Sequence, residues 1–263
     1  MRAGLPPVLF LHGAFNGAEV FTRFMAPWFA QRGFEVSVPR LPGAMGNVSA
    51  RLRDYVRTAR EAADALGGAP IVIAHSLGGL VAQHLAAQRR LPGVVLIASP
   101  GPMGLGPSLW RLSAQRPRVL AGLLLAQAGA GQLLGVEAAR AALFTADTSE
   151  AWIADVMTPP QPESPAALLD GLTWDLPVWP LARRSPMLGL LGDQDAFVPR
   201  MDLSAIAMSY AAETDILTGM AHGAPIDPHW KRVAWRIDAW LEERVLPRLL
   251  ADGSYGPRPA ALG

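Results

Sequence analysis

The chain has no cysteine. Disulfides, thiolate nucleophiles and Cys-ligated zinc or iron–sulfur centres are therefore excluded. Charge is scarce as well: Asp, Glu, Lys and Arg make up 17% of 263 residues and nearly cancel, leaving a formal net charge of +1. A balance of that kind sets up no overall field to gather nucleic acid or an anionic membrane, so no nucleic-acid partner is expected. Lysine is almost missing, with Lys231 alone among the basic residues. Long apolar runs are lacking too. The stretch Val119–Val136 is free of charge, but four Gly and two Gln interrupt it. It only approaches the ~20 apolar residues that cross a bilayer. It reads as buried or substrate-facing helices, and no membrane span is expected. Met1–Pro7 shows no basic, apolar and small-residue segments in leader order, so a cytoplasmic protein without a signal peptide is expected.

What is present is apolar and periodic. Hydrophobic residues reach 51% of the chain, enough for a sizeable core in one large domain. Short Val/Ile/Leu runs at Val8–Leu11, Glu35–Val38, Ile71–Ala74 and Val94–Ala98 alternate with helical periods near Glu19–Arg32, Ser49–Leu66 and Gly78–Arg90. Continuous apolar runs, instead of polar alternation, are how strands covered on both faces read, and the strand–helix rhythm is that of parallel βαβ units. Gly33 and Gly67 stand where helix C-caps are expected. From Pro100 to about Ser185 the rhythm breaks into a Leu-, Ala-, Gly- and Trp-rich region with a proline cluster at 159–162, which reads as a helical insertion. Sheet pattern resumes with Met187–Leu191, a helix near Met201–Ala211, a strand at Thr214–Leu217 and a last amphipathic helix from Pro228 to about Val245. The expected division is a core of 1–100 and 185–250, a helical cap of 101–184 and a loose tail of 251–263.

Four strand ends carry candidate chemistry. Ile71–Ala74 runs through His75 into Ser76-Leu77-Gly78-Gly79, a strand followed at once by a helix with Ser at the turn. Such an elbow needs small flanking residues, because strand and helix approach closely, and it projects the hydroxyl above the sheet. Ala74 and Gly78 supply the small flanks, although Gly is commoner than Ala at the first place. Taken alone, Ser76 could instead cap the helix. Val8–Leu11 ends in His12-Gly13-Ala14-Phe15, a turn that can offer a backbone N–H to a developing oxyanion beside the N–H of Leu77. Ala14 is the preferred donor and Phe15 the second choice; His12 is read as holding the loop. After the Met187–Leu191 strand, Asp193 and Asp195 are both able to orient an imidazole. Asp195, three residues past Gly192 and just before Phe197-Val198-Pro199, is preferred over a turn aspartate. Of the five histidines, His222 alone occupies a loop able to fold over Ser76.

Together these segments resemble the α/β-hydrolase superfamily, over roughly Pro6–Pro100 and Ser185–Leu246. The resemblance implies a three-layer α/β fold with a mostly parallel sheet and a helical cap. It implies a Ser76, Asp195 and His222 triad, with Ala14 and Leu77 forming the oxyanion hole. It also implies two-step acyl transfer with no cofactor and no metal. The chain begins at the His-Gly strand, so the family's N-terminal hairpin is expected to be absent or minimal. The expected substrate is the carboxylic ester of a hydrophobic small molecule or lipid. A thioesterase, a lactonase, an acyltransferase or cyclase, and a non-hydrolytic receptor remain alternatives. Phe15, His75, Trp110, Trp152 and Phe197 are the candidate substrate contacts. The competing reading of Trp110, Trp152, Trp174 and Trp179 is that they form the cap's own core. A monomer or homodimer fits equally.

Overall fold

The computed structural model describes residues 5–251 and 253. The expected loose tail lies almost wholly outside the described residues. The first half runs β1 (Val8–Leu11), α1 (Glu19–Thr22), α2 (Met25–Gln31), β2 (Val36–Ser37), α3 (Leu52–Asp64), β3 (Ile71–His75), α4 (Leu77–Gln88) and β4 (Val94–Ile97). Then come α5 (Gly106–Gln115), α6 (Pro117–Gln127), α7 (Val136–Leu143), α8 (Glu150–Val156), α9 (Pro165–Thr173) and α10 (Trp179–Ala182), with no strand among the described residues of this stretch. The chain ends with β5 (Met187–Gly192), α11 (Arg200–Tyr210), β6 (Glu213–Leu217), α12 (Trp230–Trp240) and α13 (Leu246–Ala251).

The strands form one sheet in the order β2-β1-β3-β4-β5-β6, and every pairing is parallel. Alternate residues of each strand face opposite layers, which explains why both faces had to be apolar. On one face Val8, Phe10, Ile71, Ile73 and Leu190 pack with Phe21 and Phe29 of the α1–α2 region and Val233, Ile237 and Trp240 of α12. On the other, Leu9, Leu11, Val72, Ala74 and Leu96 pack with Tyr55 of α3, Leu80 and Leu85 of α4 and Ile206 of α11. The result is three layers. Because the chain passes from β1 outward to β2 and then returns across β1 to β3, the winding reverses between β1 and β3. Ligands of open parallel sheets bind at such a switch point.

Several boundaries differ from the sequence reading, for local reasons. The helix expected over Glu19–Arg32 is broken at Phe24, which leaves helical geometry (φ −131°). Its ring stacks on both Trp152 and Trp230, at centroid distances of 5.6 and 5.3 Å. The strand expected over Glu35–Val38 shrinks to Val36–Ser37, a short edge strand paired only with β1. The expected last helix continues through a wider turn at Leu241–Val245 into α13. Gly33 and Gly67 both take positive φ, 94° and 67°, as a residue closing a helix must.

The tryptophans correct the expectation of an aromatic cap core. Trp110, Trp174 and Trp179 are 61%, 77% and 45% exposed. The interior of this region is lined by Leu, Ala, Val and Met instead, and these residues enclose space rather than filling it.

Candidate functional site

Ser76 sits between β3 and α4 with φ 52° and ψ −124°. That is a strained conformation for a non-glycine residue, costing about 1–3 kcal/mol, and it persists only where the surroundings over-determine it. Here they do. Ser76 N–H donates to the Ile97 carbonyl at 3.0 Å and its own carbonyl accepts from Gly79 N–H at 2.8 Å. A Cβ on Gly78 would strike the Leu11 and His12 carbonyls, and one on Gly13 would come within 2.9 Å of Ser76 Cβ. The small residues at these places are what allow β1, β3 and α4 to converge on the hydroxyl.

His222 and Asp195 arrive from the far end of the chain. The loop after β6 turns at Gly219 (φ 71°), whose N–H donates to Asp193 Oδ1 at 2.9 Å. Asp193 is thus a turn aspartate. His222 Nε2 lies 3.1 Å from Ser76 Oγ and His222 Nδ1 lies 2.8 Å from Asp195 Oδ2. The other oxygen of Asp195, Oδ1, accepts the backbone N–H groups of Phe197 and Val198 at 2.7 and 2.8 Å. Those two donors aim the carboxylate. Both His222 and Asp195 are buried while Ser76 is half-buried. The His222 ring is held between Phe197 and His75, at centroid distances of 4.4 and 4.9 Å. Such a chain of hydrogen bonds can withdraw a proton from the serine hydroxyl and stabilise the imidazolium that results.

Leu77 and Ala14 both border the space around Ser76, and their amides have no protein acceptor among the described residues. Phe15 N–H is occupied, donating to Glu163 Oε2 at 3.3 Å. Phe15 itself has φ 63°, a second strained residue beside the first. His12 accepts Leu41 N–H at Nε2 (2.9 Å) and bonds the Gly13 carbonyl through Nδ1 (2.8 Å), so it holds this loop. Burial lowers its pKa and keeps the ring neutral.

Above Ser76 opens a cavity of about 800 Å³. Ser76, His222, Leu77, Ala14, Phe15, His75 and Phe197 line its floor, and Leu112, Val119, Leu123, Leu143 and Met157 are among its apolar walls. Of the candidate substrate contacts, Phe15, His75 and Phe197 are therefore at the cavity. Trp110 and Trp152 are not among its lining residues. Trp152 stacks on Phe24 and donates its indole N–H to the Ile226 carbonyl at 3.0 Å; Trp110 faces outward.

Two features had no sequence signal. His75 donates Nε2–H to the carbonyl of His222 at 2.8 Å, a contact across 147 positions. Glu163, buried on the segment before α9, receives the Tyr55 hydroxyl, Ser164 N–H and Phe15 N–H, so it joins the helical region to α3 and to the loop of Ala14. Asp170 of α9 makes a parallel tie, pairing with Arg51 and accepting Leu52 N–H at the start of α3. The Arg51 guanidinium holds the Asp170 carboxyl below its ordinary pKa. Among the described residues no three His, Asp or Glu side chains gather as a metal site.

A family model described as the alpha/beta hydrolase family matches residues 8–236. No curated protein matches the sequence significantly. Solved structures are similar in fold. A carboxylesterase of the archaeon Nitrososphaera gargenis is 15% identical, with 91% of this chain and 92% of that chain covered at a TM-score of 0.67. A thermophilic esterase from Thermogutta terrifontis is 21% identical over 92% and 91% of the two chains, at 0.64. A pyrethroid hydrolase from Sphingobium faniae is 18% identical over 91% and 98%, at 0.69.

Proposed function

The chain belongs to the alpha/beta hydrolase family, and on that footing we propose that it is a serine hydrolase that cleaves carboxylic esters of hydrophobic small molecules or lipids. The observation that carries this reading is the hydrogen-bonded series Ser76–His222–Asp195 at the floor of an apolar cavity. In the proposed cycle His222 Nε2 takes the proton as Ser76 Oγ attacks the ester carbonyl. The N–H groups of Ala14 and Leu77 receive the oxyanion, and the start of α4 adds its positive dipole end. The tetrahedral adduct collapses, the protonated His222 gives its proton to the departing alcohol, and an acyl–Ser76 ester remains. Water, deprotonated by the same imidazole, then releases the acid. Asp195 keeps the tautomer with the proton on Nδ1 throughout.

A hydrophobic ester suits the cavity walls, which offer apolar surface to an acyl chain or a bulky alcohol. Neighbours in fold that carry the names esterase, carboxylesterase and pyrethroid hydrolase point the same way. We read the helices of 101–184 as a cap over the site, tied down by Glu163 and Asp170. The test is Ser76→Ala. We expect turnover of a p-nitrophenyl ester to fall by roughly 10⁴ or more and labelling by a fluorophosphonate to vanish. Wild-type turnover or unchanged labelling in that variant would refute the assignment.

A further inference from the structure

The helices α5 and α6 have two unlike faces. Leu109 and Leu124 line the cavity, yet they are 41% and 62% exposed. That exposure includes area facing the cavity, so the outward side chains are their neighbours. Next to them in the chain Trp110 and Leu125 are exposed, as is Leu133 in the turn after α6. Large apolar side chains gathered on a surface mark a binding face.

The charge of the same stretch is one-sided. From Gly101 to Val136 there is no Asp or Glu, and the ionisable side chains are Arg111, Arg116 and Arg118. Arg111 turns inward, donating to the Asp195 carbonyl at 2.9 Å. Arg116 and Arg118, at the junction of the two helices, are exposed and pair with no carboxylate among the described residues, and Arg118 also borders the cavity. The first acidic residue beyond, Glu137, is already opposite Arg140 at 3.2 Å. A protein of net charge near zero thus carries an apolar hairpin with an unbalanced positive turn.

We propose that the α5–α6 hairpin docks on the surface of an anionic phospholipid bilayer. The exposed Leu and Trp side chains enter the boundary between headgroups and acyl chains, and Arg116 and Arg118 meet the lipid phosphates. The hairpin lies on the bilayer and does not cross it: α6 has 11 residues, about 16 Å of helix, against a hydrocarbon core of about 30 Å. No helix among the described residues is long and apolar enough to span. A second copy of the chain fits this face less well. A twofold contact across this turn would set the same arginines against each other.

Docking is separable from ester cleavage, so it is measured first on the full chain carrying Ser76→Ala, by flotation with vesicles of phosphatidylglycerol and phosphatidylcholine in equal parts. We expect the protein to float with these vesicles, and at least fivefold less with pure phosphatidylcholine or in high salt. Each arginine near an anionic surface contributes about fivefold in partitioning, so Arg116→Glu should weaken binding by at least that factor. The double variant Leu125→Glu/Leu133→Glu should do the same. Neither variant should change hydrolysis of a water-soluble short-chain ester by the Ser76 protein, which also reports that each is folded. No flotation with anionic vesicles would overturn the proposal. So would flotation unaffected by both variants, or a solution dimer that Leu125→Glu/Leu133→Glu splits.

Discussion

The imidazole of His75 donates Nε2–H to the backbone carbonyl of His222 at 2.8 Å, so the residue before the serine holds the loop that carries the proposed base. Burial, with the neighbouring His222 adding to it, pushes the His75 pKa down to about 3. The ring is thus a neutral donor, and its Nδ1 is buried without a partner.

His75→Phe keeps a ring but removes the donor, and leaves the His222 carbonyl unpaired at a cost of about 1–3 kcal/mol. We expect kcat to fall about tenfold with KM nearly unchanged, because the base is displaced while the cavity stays. Fluorophosphonate labelling should slow in parallel. A stability readout accompanies this. Unfolded histidine takes up a proton near 6.5, whereas folded His75 does so only near 3. The unfolded state therefore holds more protons between those values, and stability is lost as pH falls through that window. Melting curves of His75→Phe across this range should show a shallower acid slope than wild type. Identical slopes would mean that His75 titrates in the folded protein as it does in the unfolded one.

Asp202, buried in the first turn of α11, has the opposite sign. Desolvation, opposed by the Gly101 N–H and helped by the nearby Asp195 charge, leaves its pKa raised to about 7. The folded state keeps a proton that the unfolded state releases near 3.8. Stability therefore drops as pH rises from about 4 to about 7 and is level above. Asp202→Asn preserves the Oδ1 that accepts from Gly101 at 3.1 Å and carries no charge. Relative to wild type it should gain about 4 kcal/mol between pH 4 and pH 8. Equal effects at both pH values in chemical denaturation would contradict this.

Gly13→Ala tests the close approach of β1 to the elbow. The added Cβ would sit 2.9 Å from Ser76 Cβ and 3.2 Å from His75 Nδ1. We expect a folded protein in which Ser76 and the Ala14 amide are pushed apart, with kcat down by about 10²-fold or more. Retention of full kcat would show that this backbone contact does not set the geometry.

The cavity should be readable as chain-length preference. Leu123 is one of its wall residues, and Leu123→Trp fills space without touching the floor. Against a series of p-nitrophenyl esters, kcat/KM should fall about tenfold or more for long acyl chains and change little for acetate. An unaltered profile would mean that the acyl group lies elsewhere.

Much of the frame is legible locally. Apolar runs at 8–11, 71–74, 94–98 and 187–191 become the central strands, within a residue at their ends, because a strand covered on both faces favours apolar residues throughout. The elbow at Ser76 is legible for a related reason: only small neighbours permit its backbone, and Gly78 stands beside it. The Trp-rich stretch misleads. Aromatic content favours burial on average, but Trp110, Trp174 and Trp179 stand outside a region whose interior is left open. Nothing in the one-dimensional pattern distinguishes a leucine that fills a core from one that lines a void.

The sequence by itself determined the order of strands and helices, the small residues at the turn of Ser76, and the polar residues set at four strand ends. Those depend on backbone period and on the space a Cβ needs, both local quantities. Only the tertiary structure decided that His222 meets Ser76 and Asp195, that His75 restrains it, that Glu163 and Asp170 fasten the helical region down, and that α5 and α6 keep an apolar outer face. Those contacts join residues far apart in the chain, and their distances follow from how whole elements pack rather than from any residue's neighbours in sequence.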